Sequence, residues 1–197
     1  DLRSGDLHVA AKPGHVDGLM AHVEKLQRDY QYQQIRFVGK AELDDMTSSR
    51  RYFAGTVNSG GRHLHPLNYA LGLARAARDS GAQIFEQSRV SGYSEGDQVC
   101  VTTAQGSVKA RYMILACNGY LENLANKAAG KIMPINNYML ATEPLEESLA
   151  RSLIRDDAAM SDSMFVINYW KLSADNRLLF GGGESYRRKF PSDLKGL

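Results

Sequence analysis

A helix that begins at a proline and ends at a glycine lies in the middle of the sequence, between two stretches rich in β-type residues. Pro66 suits the first helical position, where its missing N–H has no partner to lose. Gly81 is placed to end the helix in the left-handed conformation. Leu67, Leu71 and Ala74 form an apolar stripe at helical spacing between them. This helix between strands predicts a mixed α/β (α+β) fold.

The segments on either side predict further helices and strands. Upstream, "PGHVDGLMAHVEKLQRDY" predicts a helix and "QIRFVGK" a short strand. Downstream, "AQIFEQSRV" predicts a strand, and "DQVCVTTAQGSVKARYMILACNGY" predicts two alternating strands that run into a third. That third piece, "YMILACNG", is continuously apolar, which indicates a strand buried on both faces. "MFVINYWKLSADNRLLFGGGESY" predicts two strands joined near Asp175. Two regions between which the chain crosses are therefore expected.

Charge and cysteine content exclude several classes of protein. A formal charge of +2 without a basic run gives no reason to expect a nucleic-acid or anionic-membrane partner. No apolar stretch reaches the roughly 18 residues needed to span a bilayer. Cys100 and Cys117 lack CxxC spacing, so we expect reduced thiols and a cytoplasmic protein. The start at Asp1 and the final "SDLKGL" lead us to expect an excerpt from a longer chain.

Two histidines, His63 and His65, flank one leucine directly before the central helix. They could be metal ligands, an acid–base pair or simply the entry into the helix. A zinc site needs three or four ligands, and the other histidines lack a suitable spacing, so no metal is predicted. Residues two apart on a strand share a face, so both rings could point into one substrate pocket. Plain structural placement remains the alternative.

Three further stretches are candidates for ligand contacts. "ILACNG" places small residues just past a strand end, where ligands bind in open α/β sheets; a tight turn is the alternative. "LLFGGGESY" lacks the GxGxxG spacing and predicts a bend where the backbone approaches something large and flat. Tyr169 and Lys171 share one face of a predicted strand and suit a carboxylate-bearing ligand, or else a half-exposed strand. No catalytic triad or carboxylate pair is recognisable, so no catalytic residue is assigned.

The order of these pieces resembles a known family. "HLHPLNYALGLARAARDSGAQIFEQSRV", "VCVTTAQGSVKARYMILACNGYL", "KIMPINNYMLATEPL" and "YWKLSADNRLLFGGGESY" are similar in sequence order to the D-amino-acid oxidase-like (DAO) family of FAD-dependent amine and amino-acid oxidoreductases. The resemblance implies part of a Rossmann-like FAD/NAD(P)-binding domain interleaved with an antiparallel-sheet substrate domain. It assigns residues 1–62 and 121–190 to the substrate domain, 63–120 to the FAD domain, and 191–197 to a tail.

The resemblance also implies a cofactor and its contacts. FAD would lie against a group of seven residues: Arg89, Val90, Ala116, Cys117, Asn118, Gly119 and Gly182. The substrate pocket would include His63, His65, Tyr169 and Lys171. Many relatives carry an arginine for the substrate carboxylate, whereas Lys171 is a point charge without the bidentate fork, so strong recognition of an α-carboxylate is in doubt.

The implied chemistry is oxidation of a small-molecule amine to an imine that water hydrolyses, with O2 reoxidising the flavin to give H2O2. An amine of putrescine catabolism is the expected substrate. The GxGxxG start of the family is missing, so we expect flanking sequence to supply the rest of the FAD domain, and the chain alone to be inactive. A related oxidase of glycine, sarcosine or a D-amino acid, or a non-enzymatic ligand-binding module, is the alternative.

Overall fold

A computed structural model describes residues 2–185 of the chain. Its described residues divide into two compact units: unit 1 comprises residues 2–70 and 137–184, and unit 2 comprises residues 71–136 and 185. The predicted tail at 191–197 lies outside the described residues. The assignment of segments to a substrate domain and an FAD domain stays a prediction.

Strands and helices alternate irregularly along the described chain. The strands are β1 (Arg3–Val9), β2 (Ile35–Val38), β3 (Gly55–His63), β4 (Val90–Ser94), β5 (Val99–Thr103), β6 (Ser107–Ala110), β7 (Asn136–Ala141), β8 (Ala159–Asp162), β9 (Tyr169–Leu172) and β10 (Leu178–Ser185). The helices are α1 (Val16–Asp29), α2 (Lys40–Met46), α3 (Pro66–Asp79), α4 (Asn126–Ala129) and α5 (Glu147–Leu153), and short 3₁₀ turns form at Pro13–His15 and Asn118–Tyr120.

Unit 1 is built on a seven-stranded mixed sheet with the order β2-β3-β1-β8-β9-β10-β7. Strand β1 runs antiparallel to β3, with Arg3 opposite His63, and parallel to β8, with Asp6 opposite Ala159. Strand β9 is antiparallel to both β8 and β10. The predicted pair of strands around Asp175 is thus confirmed.

The core of unit 1 covers one face of this sheet. Alternate residues of the strands are buried, and helices α2 and α5 supply further members of the cluster, which includes Leu7, Val9, Val38, Leu43, Met46, Ala150, Ile154, Met160, Trp170 and Leu172. The Trp170 ring stacks on Tyr52 and Phe180, with ring centroids 5.6 and 5.9 Å apart. Because β9 alternates, Tyr169 and Lys171 share the opposite face, as predicted.

Helix α3 confirms the predicted helix entry. Its first residue is Pro66, and the backbone N–H of Asn68 donates to His65 Nδ1 over 3.3 Å. His65 thus caps the helix by satisfying an N–H that has no partner within the helix. Gly81, past the helix end, has φ +91°, the left-handed conformation predicted for it.

Unit 2 contains a three-stranded antiparallel sheet, β4-β5-β6. Here two sequence predictions are wrong. The strand expected over "AQIFEQSRV" begins only at Val90, and "YMILACNG" is not a strand: Tyr112 and Ile114 are 84% and 89% exposed. Continuous apolarity predicts a buried strand only where neighbouring strands exist on both sides, and no described strand pairs with residues 112–119.

Candidate functional site

The first candidate site is a cavity of about 590 Å³ within unit 2, called the Arg89 cavity below. Of the seven residues predicted to contact the cofactor, Arg89, Val90 and Cys117 line it. Arg89 ends the loop before β4, Val90 begins that strand, and Cys117 lies in the irregular segment after β6. The structure therefore brings together two stretches that are more than twenty residues apart in the sequence.

The next residues along the chain, Asn118 and Gly119, continue from this wall into a 3₁₀ turn, with Asn118 at φ +50°. Ala116 lies between two lining residues and is itself exposed. A Cβ added to Gly119 would meet nothing closer than the Pro134 Cβ atom at 3.9 Å. The space beside Gly119 is open, so the chain itself does not require a glycine there.

The Arg89 cavity is mainly apolar. Val90, Ile114 and Leu115 form part of its wall, and the Arg89 guanidinium is paired with the Glu122 carboxylate. Both partners of that ion pair are exposed, so it contributes little to stability. Exposed apolar side chains beside a single paired cation are suited to a flat ligand with an apolar face and some polar groups.

Gly182, the seventh predicted cofactor contact, lies in unit 1. A Cβ added to it would lie 2.8 Å from the Asn168 Oδ1 atom. A Cβ on the neighbouring Gly181 would overlap the Tyr169 ring and lie 2.6 Å from the Met139 sulfur. Within unit 1, the large flat group that the backbone approaches at Gly181 is therefore the Tyr169 ring of the same chain.

The second candidate site is a cavity of about 350 Å³ within unit 1, called the Lys171 cavity below. It is lined by His63, His65 and Lys171, three of the four predicted substrate-pocket residues, together with the first turn of α3. Tyr169 is not among the lining residues; its hydroxyl donates a hydrogen bond to Asn137 Oδ1. Its predicted role in substrate binding stays a prediction.

Lys171 is a half-buried cation. Its Nζ donates a hydrogen bond to the Leu64 carbonyl oxygen over 2.7 Å, and within residues 2–185 no carboxylate forms an ion pair with it. Burial, and secondarily the nearby Arg3 charge, lower the pKa of Lys171 below its usual value. The charge of Asp157 acts in the opposite direction on the pKa of Lys171, so a nearby carboxylate partly compensates this ammonium without forming an ion pair with it.

His63 ends strand β3 and is buried. Its Nε2 donates to the Asp157 backbone carbonyl oxygen over 3.0 Å, which leaves Nδ1 without the proton. Burial, followed by the charge of Lys171, lowers the pKa of His63, so the ring is neutral at pH 7. Among the described residues its Nδ1 has no hydrogen-bond partner.

Sequence reasoning missed two residues at this cavity. Arg3 lines it, because β1 places Arg3 directly opposite His63. Asp157, behind the lining, forms an ion pair with Arg3 and adopts φ +54°. Neither has a local sequence signal, since both depend on the register of strands far apart in the chain. Within residues 2–185, no cluster of three metal-ligating side chains occurs.

Solved structures with a similar fold include oxidases. Glycine oxidase from Geobacillus kaustophilus superimposes with a TM-score of 0.72 at 17% identity, over 92% of this chain and 48% of that one. The family model for FAD dependent oxidoreductases (DAO) matches residues 2–195. The chain belongs to this family of flavoproteins, whose cofactor is FAD.

Two curated relatives are similar in sequence. The probable oxidoreductase OrdL of Haemophilus influenzae is 37% identical over 190 residues, which are 94% of this chain and 44% of that protein. Gamma-glutamylputrescine oxidoreductase of Escherichia coli K12 is 35% identical over an alignment of 198 residues, which covers 100% of this chain and 46% of that protein. The chain thus spans less than half the length of these relatives. No helix within residues 2–185 is long and apolar enough to cross a membrane.

Proposed function

We propose that this chain is the central part of a cytoplasmic FAD-dependent amine oxidoreductase that acts on a CH–NH bond, with gamma-glutamylputrescine as its substrate. The observation that carries the proposal is the similarity to gamma-glutamylputrescine oxidoreductase, which extends over the entire chain at 35% identity. In this proposal, unit 1 belongs to the substrate domain and unit 2 to the FAD domain.

The residues of unit 2 suit one part of the cofactor. Arg89, Val90 and Cys117 line an apolar cavity, and the open space at Gly119 leaves room for a flat ligand. These residues, with Ala116 and Asn118, would hold FAD by backbone and apolar contacts. Gly182 would add a backbone contact, and the Asn168 side chain lies close to the place where a Cβ on Gly182 would be. FAD, when bound, would supply the chemistry by accepting a hydride, with its two electrons, from the carbon beside the amine nitrogen.

The residues of unit 1 would bind and orient the amine. Lys171 and His63 line one cavity with His65, and the neutral His63 ring adds no charge that would repel an ammonium. Tyr169 would contribute a fixed aromatic face. The resulting imine would be hydrolysed by water, and O2 would take up the electrons to give H2O2. None of these residues has to transfer a proton to a leaving group, in keeping with the absence of a recognisable catalytic constellation.

The test is a substrate panel with the full-length protein. Purification should give a yellow protein, and gamma-glutamylputrescine should yield stoichiometric H2O2 with a higher kcat/KM than putrescine, glycine, sarcosine or D-alanine. A preference for glycine or sarcosine would favour a related amino-acid oxidase instead. A colourless protein that still binds amines would favour a ligand-binding module.

Replacing Lys171 tests the assignment of the pocket. Lys171→Met should lower kcat/KM by about tenfold or more, mainly through KM, because a charge-assisted contact to the substrate is lost. The matched control is Lys127→Met, an exposed lysine of unit 2, which should leave both constants unchanged. Equal kinetics for both variants would place the substrate elsewhere.

A further inference from the structure

Asp162, the last residue of β8, is a fully buried carboxylate that holds the segment after it in place. Its Oδ1 atom accepts the backbone N–H groups of Met164 and Asn168, each over 3.1 Å, and its Oδ2 atom accepts the Asn168 side-chain N–H over 2.8 Å. The backbone N–H of Asp162 also donates to the Asn168 carbonyl oxygen over 2.9 Å. A buried carboxylate is costly unless such bonds are made, and here they tie the two ends of the segment together.

The start of this segment is fixed by the next residue as well. The Ser163 N–H donates to the Val9 carbonyl oxygen over 3.0 Å, and the Ser163 hydroxyl oxygen accepts the Ala11 N–H over 3.0 Å. The His15 Nδ1 atom lies 2.5 Å from the same hydroxyl oxygen. Residues 163–168 are therefore held at both ends, although they belong to no helix or strand.

The fixed segment contains an unbroken apolar run at residues 164–167, called the apolar loop below. Within it, Phe165 is 94% exposed and Ile167 is 47% exposed. Both continue in sequence the alternation of β9, in which Tyr169 and Lys171 share the face opposite the core. The apolar loop therefore extends the row of predicted substrate-pocket residues with exposed hydrocarbon side chains.

An exposed apolar side chain on a fixed segment is suited to contact with a second molecule. Single exposed apolar residues are common on protein surfaces and need no partner. Phe165 differs from these because its segment is fixed by a buried carboxylate and leads directly into β9. Apolar groups that are already ordered bind a ligand without the entropy cost of ordering them.

We propose that Phe165 and Ile167 form an apolar wall against the hydrocarbon chain of the amine, and that Asp162 is a positioning residue that holds this wall. This assignment rests on the proposed function and adds a class of substrate, a primary amine whose nitrogen ends a saturated chain. The wall removes the chain from water, and each buried CH2 group strengthens binding by about fourfold.

The test measures binding without turnover. Unbranched primary amines from propylamine to hexylamine are titrated by calorimetry into the full-length flavoprotein, with the flavin reduced by dithionite under argon so that no amine is oxidised. The affinity of the unchanged protein should rise about fourfold per CH2 group, and that of Phe165→Ala about twofold or less. No binding of any of these amines, or an equal rise in both proteins, would overturn the proposal.

The matched control is Tyr30→Ala, which removes another exposed aromatic ring of unit 1, at the end of α1. It should keep the fourfold rise per CH2 group. Phe165→Ala should have an unchanged melting temperature, because the side chain that it removes is almost fully exposed. A loss of chain-length dependence in Phe165→Ala thus cannot be attributed to misfolding.

The positioning role of Asp162 is tested by hydrogen exchange in the full-length protein. Asp162→Asn turns an N–H group toward donors that the carboxylate accepted, so the amides of residues 163–168 should exchange faster and the rise per CH2 group should fall. Asn168→Ala, at a half-buried position, removes only the side-chain hydrogen bond and should act in the same direction with a smaller effect. Faster exchange with an unchanged fourfold rise would show that Asp162 only stabilises the fold.

Two further outcomes separate this wall from its alternatives. If Phe165→Ala changes the sedimentation of the protein but not its affinity for amines, the apolar loop is an interface with a second copy of the chain, and the proposal is wrong. If no amine is oxidised in the substrate panel but affinity still depends on chain length only while Phe165 is present, the proposed function fails and the wall stands.

Discussion

Units 1 and 2 differ most in what they bury. In unit 1, strands and helices enclose a cluster that includes Leu43, Ile154 and Trp170. In the described part of unit 2, Leu121 is the only buried hydrophobic residue, whereas Tyr112, Ile114 and Tyr120 are all more than 80% exposed. Since burial of apolar surface is the main driving force of folding, most of this stabilisation within the described residues lies in unit 1.

The largest expected difference in stability is between alanine substitutions of one aliphatic residue in each unit. Leu43→Ala should lower the free energy of unfolding by about 2–5 kcal/mol, because it leaves a cavity in the unit 1 core. Ile114→Ala in unit 2 should change it by about 0.5 kcal/mol or less, since the side chain is 89% exposed. Urea unfolding of the 197-residue chain measures both. A comparable cost for Ile114→Ala would show that unit 2 buries this residue, and the contrast would be wrong.

A smaller difference in stability is expected when one glycine in each unit is replaced by alanine. Gly181→Ala should cost about 1–3 kcal/mol, because the new methyl group would overlap the Tyr169 ring. Gly106→Ala, in the turn between β5 and β6, meets no atom within 4 Å and should be close to neutral. Thermal unfolding compares the two. The tyrosine fluorescence of Gly181→Ala should change as well, and an unchanged spectrum with unchanged stability would mean that the ring moves freely.

The smallest effect is pH dependence, which should be confined to unit 1, because all five histidines lie at positions 8 to 65. Burial lowers the pKa of His8 and His63 from 6.5. Below pH 6.5 these two rings therefore bind protons in the unfolded chain but not yet in the folded chain. The free energy of unfolding consequently decreases as the pH falls toward the folded pKa values. Above pH 6.5 these rings contribute no pH dependence.

As the pH is lowered below 6.5, the urea midpoint should decrease less for His63→Gln than for the unchanged protein. The control is Lys127→Met, since Lys127 is exposed and is not among the groups that shift the pKa of His8 or His63. Identical slopes for all three proteins would show that the burial of His63 has no energetic consequence.

Local sequence signals predicted some elements of both units and missed others, for a physical reason. Helix α3 was predicted because Pro66, the apolar stripe and Gly81 act within one segment, and the pair β9 and β10 because alternation is local. Strand formation over "YMILACNG" depends on neighbouring strands, which a local pattern cannot supply. Among apolar runs, the sequence therefore cannot separate a buried strand from an exposed irregular segment.

The same reasoning explains which site residues were found. His63, His65 and Lys171 were candidates because of their local context, and the structure places all three at one cavity. Arg3 was missed because its position opposite His63 is a matter of strand register, and Asp157 because its role depends on Arg3. Charges that meet only through long-range pairing have no signature in a single sequence.

The parallel pairing of β1 with β8 has a consequence for folding during synthesis of the chain. His8 and Ser161, which face each other across this pair, are 153 positions apart. At about 5–20 residues per second, a ribosome needs about 8–30 s to deliver the second strand after the first. During that time β1 pairs on one side only, with β3, and its other edge is unoccupied. The nascent chain therefore exposes an unpaired strand edge during that time, and such edges are prone to pair with other chains.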